Sequence, residues 1–335
     1  MSELKIRNKM DLPVPLRNLQ RLTPLLSFSP EDPSNDGKKS VCDRELRMAG
    51  GVSADWCECS HLSRRKRDVD KGFDHNLIQE DCGLERVGID LKIVFHEKYF
   101  SVYSGDPASA EGRLDYAYKV LKENFESVKP EPAQESNLLL VHGQTHVEHI
   151  RQDAHLYETA SLAVGGAIRA SEIALAGEPA FGLIRPPGHH ASPSSCWGFC
   201  YFNNIAIAIK RLIHSREIEK ALIVDFDLHF GDGTSNTFAG DANVTYHHMG
   251  AGPRELESFL SAAGNFDMLG ISAGFDRGVA DWGGTLSDED YEQIGGLLKR
   301  FSEKKSRGRR FAVLEGGYNH KTLGSSILSF LRGFE

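Results

Sequence analysis

The chain has 335 residues, of which 40% are hydrophobic, and its formal net charge is −8 at pH 7. This length suits one large α/β domain, or a domain of about 250 residues with an extension. The acidic balance argues against direct nucleic-acid binding, and the sequence has no run of about 18 apolar residues that would span a membrane. The first residues lack the apolar segment of a signal peptide, which predicts a cytoplasmic location.

Residues 1–90 differ in character from the rest of the chain. They are polar and rich in turn-forming residues, and they show little helical or strand periodicity. We interpret them as a polar extension, in part disordered, in front of a catalytic domain over residues 91–335. The extension contains Cys57-Glu-Cys-Ser-His61, whose spacing is tighter than in usual zinc sites, and a basic run Arg64-Arg-Lys-Arg67, which its acidic flanks indicate is solvated.

From Lys92 onward, short apolar segments alternate with segments of helical periodicity. The predicted strands cover 92–95, 138–141, 181–184, 221–225, 243–247, 267–272 and 311–314. The predicted helices cover 110–127, 157–176, 205–214, a segment from the capping box Ser287–Asp290 to about 304, and a last one ending near 333. This alternation predicts a three-layer αβα fold with a mainly parallel central sheet.

Four histidines follow the predicted strand at 138–141. His142 and His146 stand four residues apart, as metal ligands on a helix can, but the glutamate of the zinc-protease helix motif is missing between them. The sequence therefore favours a half-exposed helix that contains several histidines.

Ionisable or phenolic side chains follow four of the predicted strands. Because sites in parallel sheets form at the carboxyl ends of the strands, we expect these side chains to converge. They are His189 and His190 after 181–184; Asp225, Asp227, His229 and Asp232 at the end of 221–225; Asp276 after 267–272; and Tyr318 after 311–314.

Buried carboxylates at a strand end are costly unless a cation compensates them, which points to a divalent metal. If Asp227, His229 and Asp276 bind one ion, three protein ligands leave an open position for water, as in catalytic zinc sites. The same donor set also suits Fe2+ or Co2+.

The remaining polar residues then supply acid–base chemistry. His189 and His190 provide base and acid, and Asp225 and Asp232 are the carboxylates available to orient them. Tyr318, on a Gly-Gly turn, provides a phenol that stabilises an oxyanion. These parts predict a metal-assisted amide or ester hydrolase.

Five motifs together resemble those of the histone deacetylase and acetylpolyamine amidohydrolase superfamily. They are Arg185-Pro-Pro-Gly-His-His-Ala191, Gly198-Phe-Cys-Tyr-Phe-Asn-Asn204, Asp225-Phe-Asp-Leu-His-Phe-Gly-Asp-Gly233, Ser272-Ala-Gly-Phe-Asp276 and Glu315-Gly-Gly-Tyr318. The resemblance runs from about Lys92 to the C-terminus. It implies an arginase-like fold and a zinc-dependent deacetylase that acts on acetyl-lysine in proteins or on a small acetylated amine such as a polyamine.

The resemblance also implies roles for individual residues. It makes Asp227, His229 and Asp276 the Zn2+ ligands and Tyr318 the phenol that polarises the carbonyl. His190 with Asp232 becomes the general base, and His189 with Asp225 becomes the second histidine. Phe199 becomes a wall of the acyl-lysine channel, and Gly198 becomes a backbone acceptor. Two-metal ureohydrolases share the fold, and their pattern has further aspartates as ligands. This sequence has Gly231 and Gly278 at those positions.

Two departures from the family pattern affect the expected site. Tyr246 stands where relatives help to bind a monovalent cation such as K+ through a serine, which puts that cation in doubt. The segment from Tyr246 to Asp276 is shorter than in relatives and lacks the loop that forms the opposite channel wall. We therefore expect an open mouth to the channel, which the 1–90 extension would fill. The alternative function is that of a weakly active or inactive relative that only binds acylated ligands.

Overall fold

Within residues 91–335, which are the part of the chain that the computed structural model describes, seven short strands form one sheet. Every neighbouring pair of strands is parallel, and the order across the sheet is β2-β1-β3-β7-β6-β4-β5. The strands are β1 Lys92–Val94, β2 Glu126–Val128, β3 Ala180–Gly182, β4 Ala221–Asp225, β5 Val244–His248, β6 Met268–Ala273 and β7 Arg310–Leu314. The predicted extension over 1–90, with its cysteine–histidine and basic motifs, lies outside the described residues.

Helices cover the sheet and complete the predicted three-layer α/β fold. They are α1 Asp115–Asn124, α2 Glu135–Leu138, α3 Gln144–Arg151, α4 Ala154–Ala176, α5 Asn204–His214, α6 Asp232–Thr237, α7 Pro253–Ala262, α8 Asp288–Lys305 and α9 Leu323–Phe334. Short 3₁₀ turns lie at Glu97–Phe100 and Pro107–Ser109. Helix α4 packs on β1, β3 and β7, and α8, α9 and α1 pack together. No helix in this part of the chain is long and apolar enough to cross a membrane.

The central strands are buried along their whole length because helices cover both faces of the sheet. Every residue of β3, β4, β6 and β7 is buried, which explains their nearly continuous apolar sequence. The capping box that opens α8 forms as predicted: Ser287 Oγ accepts a hydrogen bond from the amide of Asp290, and Asp290 Oδ2 accepts one from the amide of Ser287. Gly177 ends α4 at a φ of 104°, a conformation that favours glycine.

The strand predicted at 138–141 is wrong. The last turn of α2 and a following turn occupy this stretch, and only Leu138 in it is buried. The strand that pairs with β1 at this edge of the sheet is β2, whose residues Glu126 and Ser127 are exposed. An edge strand of three mostly polar residues has no apolar pattern by which the sequence would reveal it.

The strand order brings the chemically interesting loops together. Strands β3, β7, β6 and β4 are consecutive neighbours in the sheet. Because all four are parallel, their carboxyl ends lie along one stretch of the same sheet edge, and the loops that leave them form the walls of one site.

Candidate active site

The three predicted metal ligands lie together at the carboxyl ends of β4 and β6. Asp227, His229 and Asp276 each offer one ligand atom, and these atoms lie within 4.8 Å of one another. Nδ1 of His229 lies 3.2 Å from Oδ1 of Asp227 and 3.1 Å from Oδ2 of Asp276. Both carboxylates are buried, whereas 40% of the His229 side chain is exposed, so the cluster opens to solvent on the histidine side.

Backbone amides fix the two carboxylates but leave one oxygen without a backbone donor. Asp227 Oδ2 accepts a hydrogen bond from the amide of Gly316 at 2.8 Å, and Asp276 Oδ1 accepts one from the amide of Leu228 at 3.0 Å. Asp276 Oδ2 is buried and accepts no hydrogen bond within residues 91–335. A buried carboxylate oxygen without a donor, beside a second carboxylate and an imidazole, fits a divalent cation.

The pKa shifts of the cluster are also those expected at a site that fits a cation. Burial, and then the negative charge of Asp227, raise the pKa of Asp276 to about 6. The carboxylates of Asp227 and Asp276 in turn raise the pKa of His229 to about 10. Gly316 leaves the space between the carboxylates open, since a Cβ there would lie 2.6 Å from Asp227 Oδ2 and 2.7 Å from Asp276 Oδ2.

Each predicted histidine pairs with its predicted aspartate. His189 Nδ1 lies 3.0 Å from Asp225 Oδ2, and His190 Nδ1 lies 2.7 Å from Asp232 Oδ1. Both contacts use Nδ1 and leave Nε2 of each ring available. Nε2 of His189 lies 3.8 Å from Oδ1 of Asp227, which places this pair beside the metal ligands.

The two adjacent histidines have opposite pKa shifts. Burial favours the neutral form of His189, but the charges of Asp227 and Asp225 outweigh it and hold the pKa well above its usual value. Burial, and then the positive charge of His189, lower the pKa of His190. One imidazole is therefore biased towards the charged form and its neighbour towards the neutral form, which separates two acid–base roles.

Tyr318 is held by contacts to its backbone and to its ring. The amides of Tyr318 and Asn319 both donate to Oδ2 of Asp281 at 2.7 Å. The phenol ring stacks on Trp282 with a centroid separation of 4.0 Å, and the guanidinium carbon of Arg113 lies 5.3 Å from the ring centroid. Burial raises the pKa of Tyr318, so the phenol stays protonated and able to donate at neutral pH.

The predicted channel wall owes its position to an unusual backbone. Gly198 and Phe199 both have left-handed conformations, with φ of 60° and 66°. This conformation is uncommon for a phenylalanine, and it places the Phe199 ring edge-on to Tyr318 with centroids 5.9 Å apart. A Cβ at Gly198 would lie 2.4 Å from Cδ2 of His190, so only glycine fits there.

Glu315 and Arg113 support the site, and sequence reasoning gave neither a role. Glu315 is buried, and its carboxylate accepts from the amides of Gly188 and His189 at 2.7 and 3.2 Å and from the hydroxyl of Ser272 at 3.2 Å. Burial raises the pKa of Glu315 to about 7. Arg113 donates to the carbonyl of Glu315 at 2.7 Å, which fixes the turn that leads to Tyr318. Glu315 is the first residue of the Glu-Gly-Gly-Tyr motif, and this position in the sequence could have indicated its role in the site.

Two tryptophans at the mouth were also missed. Trp197 lies with its ring 4.0 Å from that of His190 and is 56% exposed. Trp282 is 53% exposed, and its ring lies edge-on to His229 at 6.2 Å. Trp282 follows Asp276 on a glycine-rich loop and places an aromatic side chain beside His229 and Tyr318.

In a second cluster of potential metal ligands, both carboxylate oxygens are already engaged. His189, Cys200 and Glu315 also have ligand atoms within 4.8 Å of one another. However, both oxygens of Glu315 accept hydrogen bonds, and His189 Nδ1 is paired with Asp225. This cluster orients the histidine and lacks the unpartnered oxygen that marks the first one.

The residues around Asp225 do not fit the monovalent cation that the sequence left in doubt. The Tyr246 hydroxyl donates to Asp225 Oδ2 at 3.0 Å and accepts from the amide of Gly231 at 3.0 Å. Asp225 Oδ1 accepts from the amide of Asp227 at 3.0 Å, and the Asp225 carbonyl accepts from the amide of Met249 at 2.8 Å. The donors of the protein itself therefore satisfy this carboxylate.

A second metal also lacks a ligand at Gly231. A Cβ at Gly231 would lie 2.4 Å from Asp225 Oδ2 and 3.0 Å from His189 Nδ1, so no aspartate fits at the position where the two-metal enzymes look to need one.

The histidines near 142–155 serve the fold. His142 Nδ1 lies 3.1 Å from the carbonyl of Ser192, and its Nε2 accepts from the amide of Asn203 at 2.9 Å. His146 Nε2 lies 2.8 Å from the carbonyl of Tyr201. Helix α3 is half-exposed as predicted, and these histidines lie on its buried side and before it, where they hold the segment that carries Phe199.

Comparisons with known proteins identify the family of this chain. The family model of the histone deacetylase domain matches residues 108–251. A probable deacetylase from Methanothermobacter thermautotrophicus is 31% identical over 265 residues, which are 62% of this chain and 78% of that protein. A probable deacetylase from Archaeoglobus fulgidus is 31% identical over 314 residues, covering 72% of this chain and 86% of that protein.

The fold is also shared with a solved structure. The crystal structure of the HDA15 HD domain aligns with a TM-score of 0.64 at 22% identity, over 73% of this chain and 90% of that chain. The fold and the sequence define a metal-dependent amidohydrolase of the deacetylase type. The chain belongs to the histone deacetylase family, within the arginase–deacetylase superfamily.

Proposed function

We propose that this protein is a zinc-dependent deacetylase that hydrolyses the acetyl amide of acetyl-lysine in proteins. The observation that carries the proposal is the buried Oδ2 of Asp276, which accepts no hydrogen bond within the described residues and lies beside Asp227 and His229. These three residues would hold the ion. When bound, zinc supplies Lewis-acid chemistry: it polarises the amide carbonyl and lowers the pKa of a water molecule to about 7.

The two histidines divide the proton chemistry between them. We assign His190, oriented by Asp232, as the general base, because its lowered pKa keeps Nε2 unprotonated at neutral pH. We assign His189, with Asp225, as the charged neighbour that stabilises negative charge on the tetrahedral species, because its pKa is raised. His190 takes a proton from a water molecule as the water oxygen bonds to the carbonyl carbon. That proton then goes to the amine nitrogen as the C–N bond breaks, which releases the amine and acetate.

The substrate contacts follow from the walls of the cleft. Tyr318, protonated because burial raises its pKa, donates its hydroxyl to the carbonyl oxygen of the substrate. Phe199 and Trp282 flank Tyr318 and contact the methylene chain of acetyl-lysine, and the carbonyl of Gly198 accepts from the amide N–H. Trp197 and Trp282 form an aromatic rim that suits the neighbouring residues of a peptide.

An acetylated polyamine is the second candidate substrate. Two half-exposed tryptophans at one mouth can receive an ammonium group over their faces, which favours a cationic amine as well as a peptide. Comparing kcat/KM for an acetyl-lysine peptide with that for an acetylated polyamine separates the two, and we expect the peptide to be preferred.

The first experiment is hydrolysis of a fluorogenic acetyl-lysine peptide with chelator and with metal add-back. We expect chelator-sensitive turnover that zinc restores, with Fe2+ and Co2+ as the alternative ions to compare. Absence of turnover on peptides, polyamines and longer acyl groups, with one zinc bound per chain, would support the inactive acyl-lysine-binding relative instead.

We further propose that residues 91–335 form the whole catalytic domain. Removing residues 1–88 tests whether the polar extension completes the mouth, since unchanged activity and substrate preference would exclude that role. The cytoplasmic location stays a prediction for cell fractionation to test.

A further inference from the structure

Arg277 is a buried arginine that has no acidic partner in the described part of the chain. It directly follows Asp276, and its side chain is 9% exposed. Its guanidinium donates to three backbone carbonyls: Asp227 at 3.0 Å, Met249 at 2.8 Å and Gly250 at 2.8 Å. Within residues 91–335 no carboxylate forms an ion pair with it. Buried arginines are rare unless paired, so this position calls for a physical reason.

The acceptors of Arg277 show what it holds. Asp227 belongs to the loop after β4 and is a proposed metal ligand, while Met249 and Gly250 directly follow β5. Arg277 itself lies on the loop after β6. The guanidinium therefore ties together three loops that leave adjacent strands, and one of its bonds is to the carbonyl of a residue whose carboxylate belongs to the metal cluster.

A histidine completes this environment. His248, at the end of β5, has Nε2 3.2 Å from the guanidinium of Arg277. Its buried Nδ1 has no hydrogen-bond partner among the described residues and lies 3.9 Å from Asp225 Oδ1. The guanidinium thus lies among three carbonyl oxygens and a ring nitrogen, close behind the carboxylates of the site. Several carbonyl oxygens that converge on one point form an environment that alkali cations occupy in proteins.

We propose that Arg277 is a positioning residue that acts as a built-in cation for the metal-ligand loop. Its fixed positive charge holds the carbonyls of Asp227, Met249 and Gly250 together, so the protein needs no monovalent cation at this place. The Asp225 carboxylate, satisfied by Tyr246 and His189, is consistent with the same conclusion. The link to catalysis rests on the proposed function, whereas the link to metal retention and folding does not.

The native chain and a chain that lacks the Arg277 side chain should respond differently to the monovalent cation. The native protein is indifferent to the identity of the monovalent cation. Arg277→Ala leaves three carbonyls facing a gap, which costs metal affinity because the loop of Asp227 loses its anchor. K+ can enter that gap and replace the lost charge, whereas tetramethylammonium is too large to do so.

The test compares the full-length native chain, Arg277→Ala, Arg277→Lys and Arg310→Ala in KCl and in tetramethylammonium chloride at equal ionic strength. Arg310 is the matched control: it is 4% exposed and donates to the carbonyls of Gly308 and Phe334 at 3.0 and 2.8 Å, at the amino end of β7, away from the site. The readouts are zinc content, the thermal unfolding midpoint and kcat/KM on an acetyl-lysine peptide.

We expect the native chain to differ by less than about twofold in kcat/KM between the two salts. Arg277→Ala should lose about 10-fold to 100-fold in zinc affinity in tetramethylammonium and recover a large part of it in K+. Arg277→Lys, which keeps a charge near the carbonyls, should lose less and respond less to K+. Arg310→Ala should unfold at a lower temperature in both salts alike.

Two results would overturn the proposal: K+ dependence of the native chain, or an Arg277→Ala variant whose zinc affinity is reduced equally in both salts or not at all. If Arg277→Ala fails to fold in either salt, Arg277→Gln takes its place with the same expected response. If the native chain hydrolyses none of the substrates, the proposed function fails, but zinc content and the unfolding midpoint still report the response to K+.

Discussion

The indole of Trp197 donates a hydrogen bond of 2.9 Å to Oδ2 of Asp232, whose other oxygen lies 2.7 Å from Nδ1 of His190. The Trp197 ring also lies against the ring of His190, with centroids 4.0 Å apart. Trp197 therefore touches both members of the proposed general-base pair. A half-exposed side chain at the mouth is thus coupled to the proton-accepting residue below it.

Trp197→Phe should lower kcat/KM about fivefold to tenfold, with most of the loss in kcat. The phenylalanine retains a ring against His190 but removes the N–H that fixes the Asp232 carboxylate, and a loosely held base loses catalytic efficiency. Steady-state kinetics on an acetyl-lysine peptide measures the effect.

Trp282→Phe is the control for this prediction. Within the described residues the indole N–H of Trp282 has no acceptor, while its ring stacks on Tyr318. The phenylalanine keeps the stacking, so kcat should change by less than about twofold. Equal losses of kcat in the two variants would mean that general aromatic packing, and not the bond to Asp232, causes the effect.

The sequence was sufficient to predict that these residues converge because they lie at the ends of strands. Asp227 and His229 alternate directly after an apolar run, and the parallel topology that brings Asp276 and Tyr318 beside them follows from the alternation of strands and helices. These inferences need no knowledge of side-chain packing, and the strand order confirms the expected convergence.

The residues that the sequence did not reveal act through contacts distant in the chain. Arg113 reaches the carbonyl of Glu315, 202 positions away, and Arg277 reaches that of Asp227, 50 positions away. Neither arginine lies in a motif that indicates burial, and an isolated arginine in a sequence is usually exposed. Edge strand β2 was missed for a related reason, because its backbone pairing leaves no trace in its polar side chains.

Tyr318→Phe should reduce turnover about 100-fold to 1000-fold while the chain keeps its zinc. The phenol is the proposed donor to the developing oxyanion, and loss of one such donor has an effect of this size. The ring would still stack on Trp282 and lie edge-on to Phe199, so the fold and the mouth should persist. Single-turnover kinetics together with zinc analysis checks this, and an unchanged rate would show that another site produces the measured activity.

Asp276→Asn should have opposite effects on the metal-free and the zinc-bound protein. Burial and the charge of Asp227 raise the pKa of Asp276 to about 6, so the folded state loses stability as pH rises from the unfolded value towards neutral. The amide removes this repulsion. At pH 7 the metal-free variant should therefore be more stable to urea than the metal-free native chain, by an amount of order 1 kcal/mol or more.

Zinc should reverse that ranking. The native chain gains stability when it binds the ion, but the variant has lost an anionic ligand and should gain little. Urea unfolding with and without zinc measures both effects. Equal stabilisation of the two chains by zinc would exclude Asp276 as a ligand.

His142 should make the stability of the protein depend on pH between about 3 and 6.5. Burial, and then the neighbouring His146, lower the pKa of His142 to about 3 in the folded state. Because the folded pKa lies below the unfolded one, the stabilising effect is complete above pH 6.5 and is lost as the pH falls towards 3.

The structural cause is the ring nitrogen that accepts from the amide of Asn203 at 2.9 Å, which protonation would prevent. His142→Gln should lower stability at pH 7 and remove roughly 1 to 2 kcal/mol of the loss that the native chain shows between pH 7 and pH 5. Urea unfolding at the two pH values measures this difference. The exposed His149, on helix α3, provides the control for the loss of an imidazole, since His149→Gln removes a histidine side chain that is not buried. If His142→Gln and the native chain lose equal stability between the two pH values, His142 does not carry the effect, and the acid sensitivity arises from other groups.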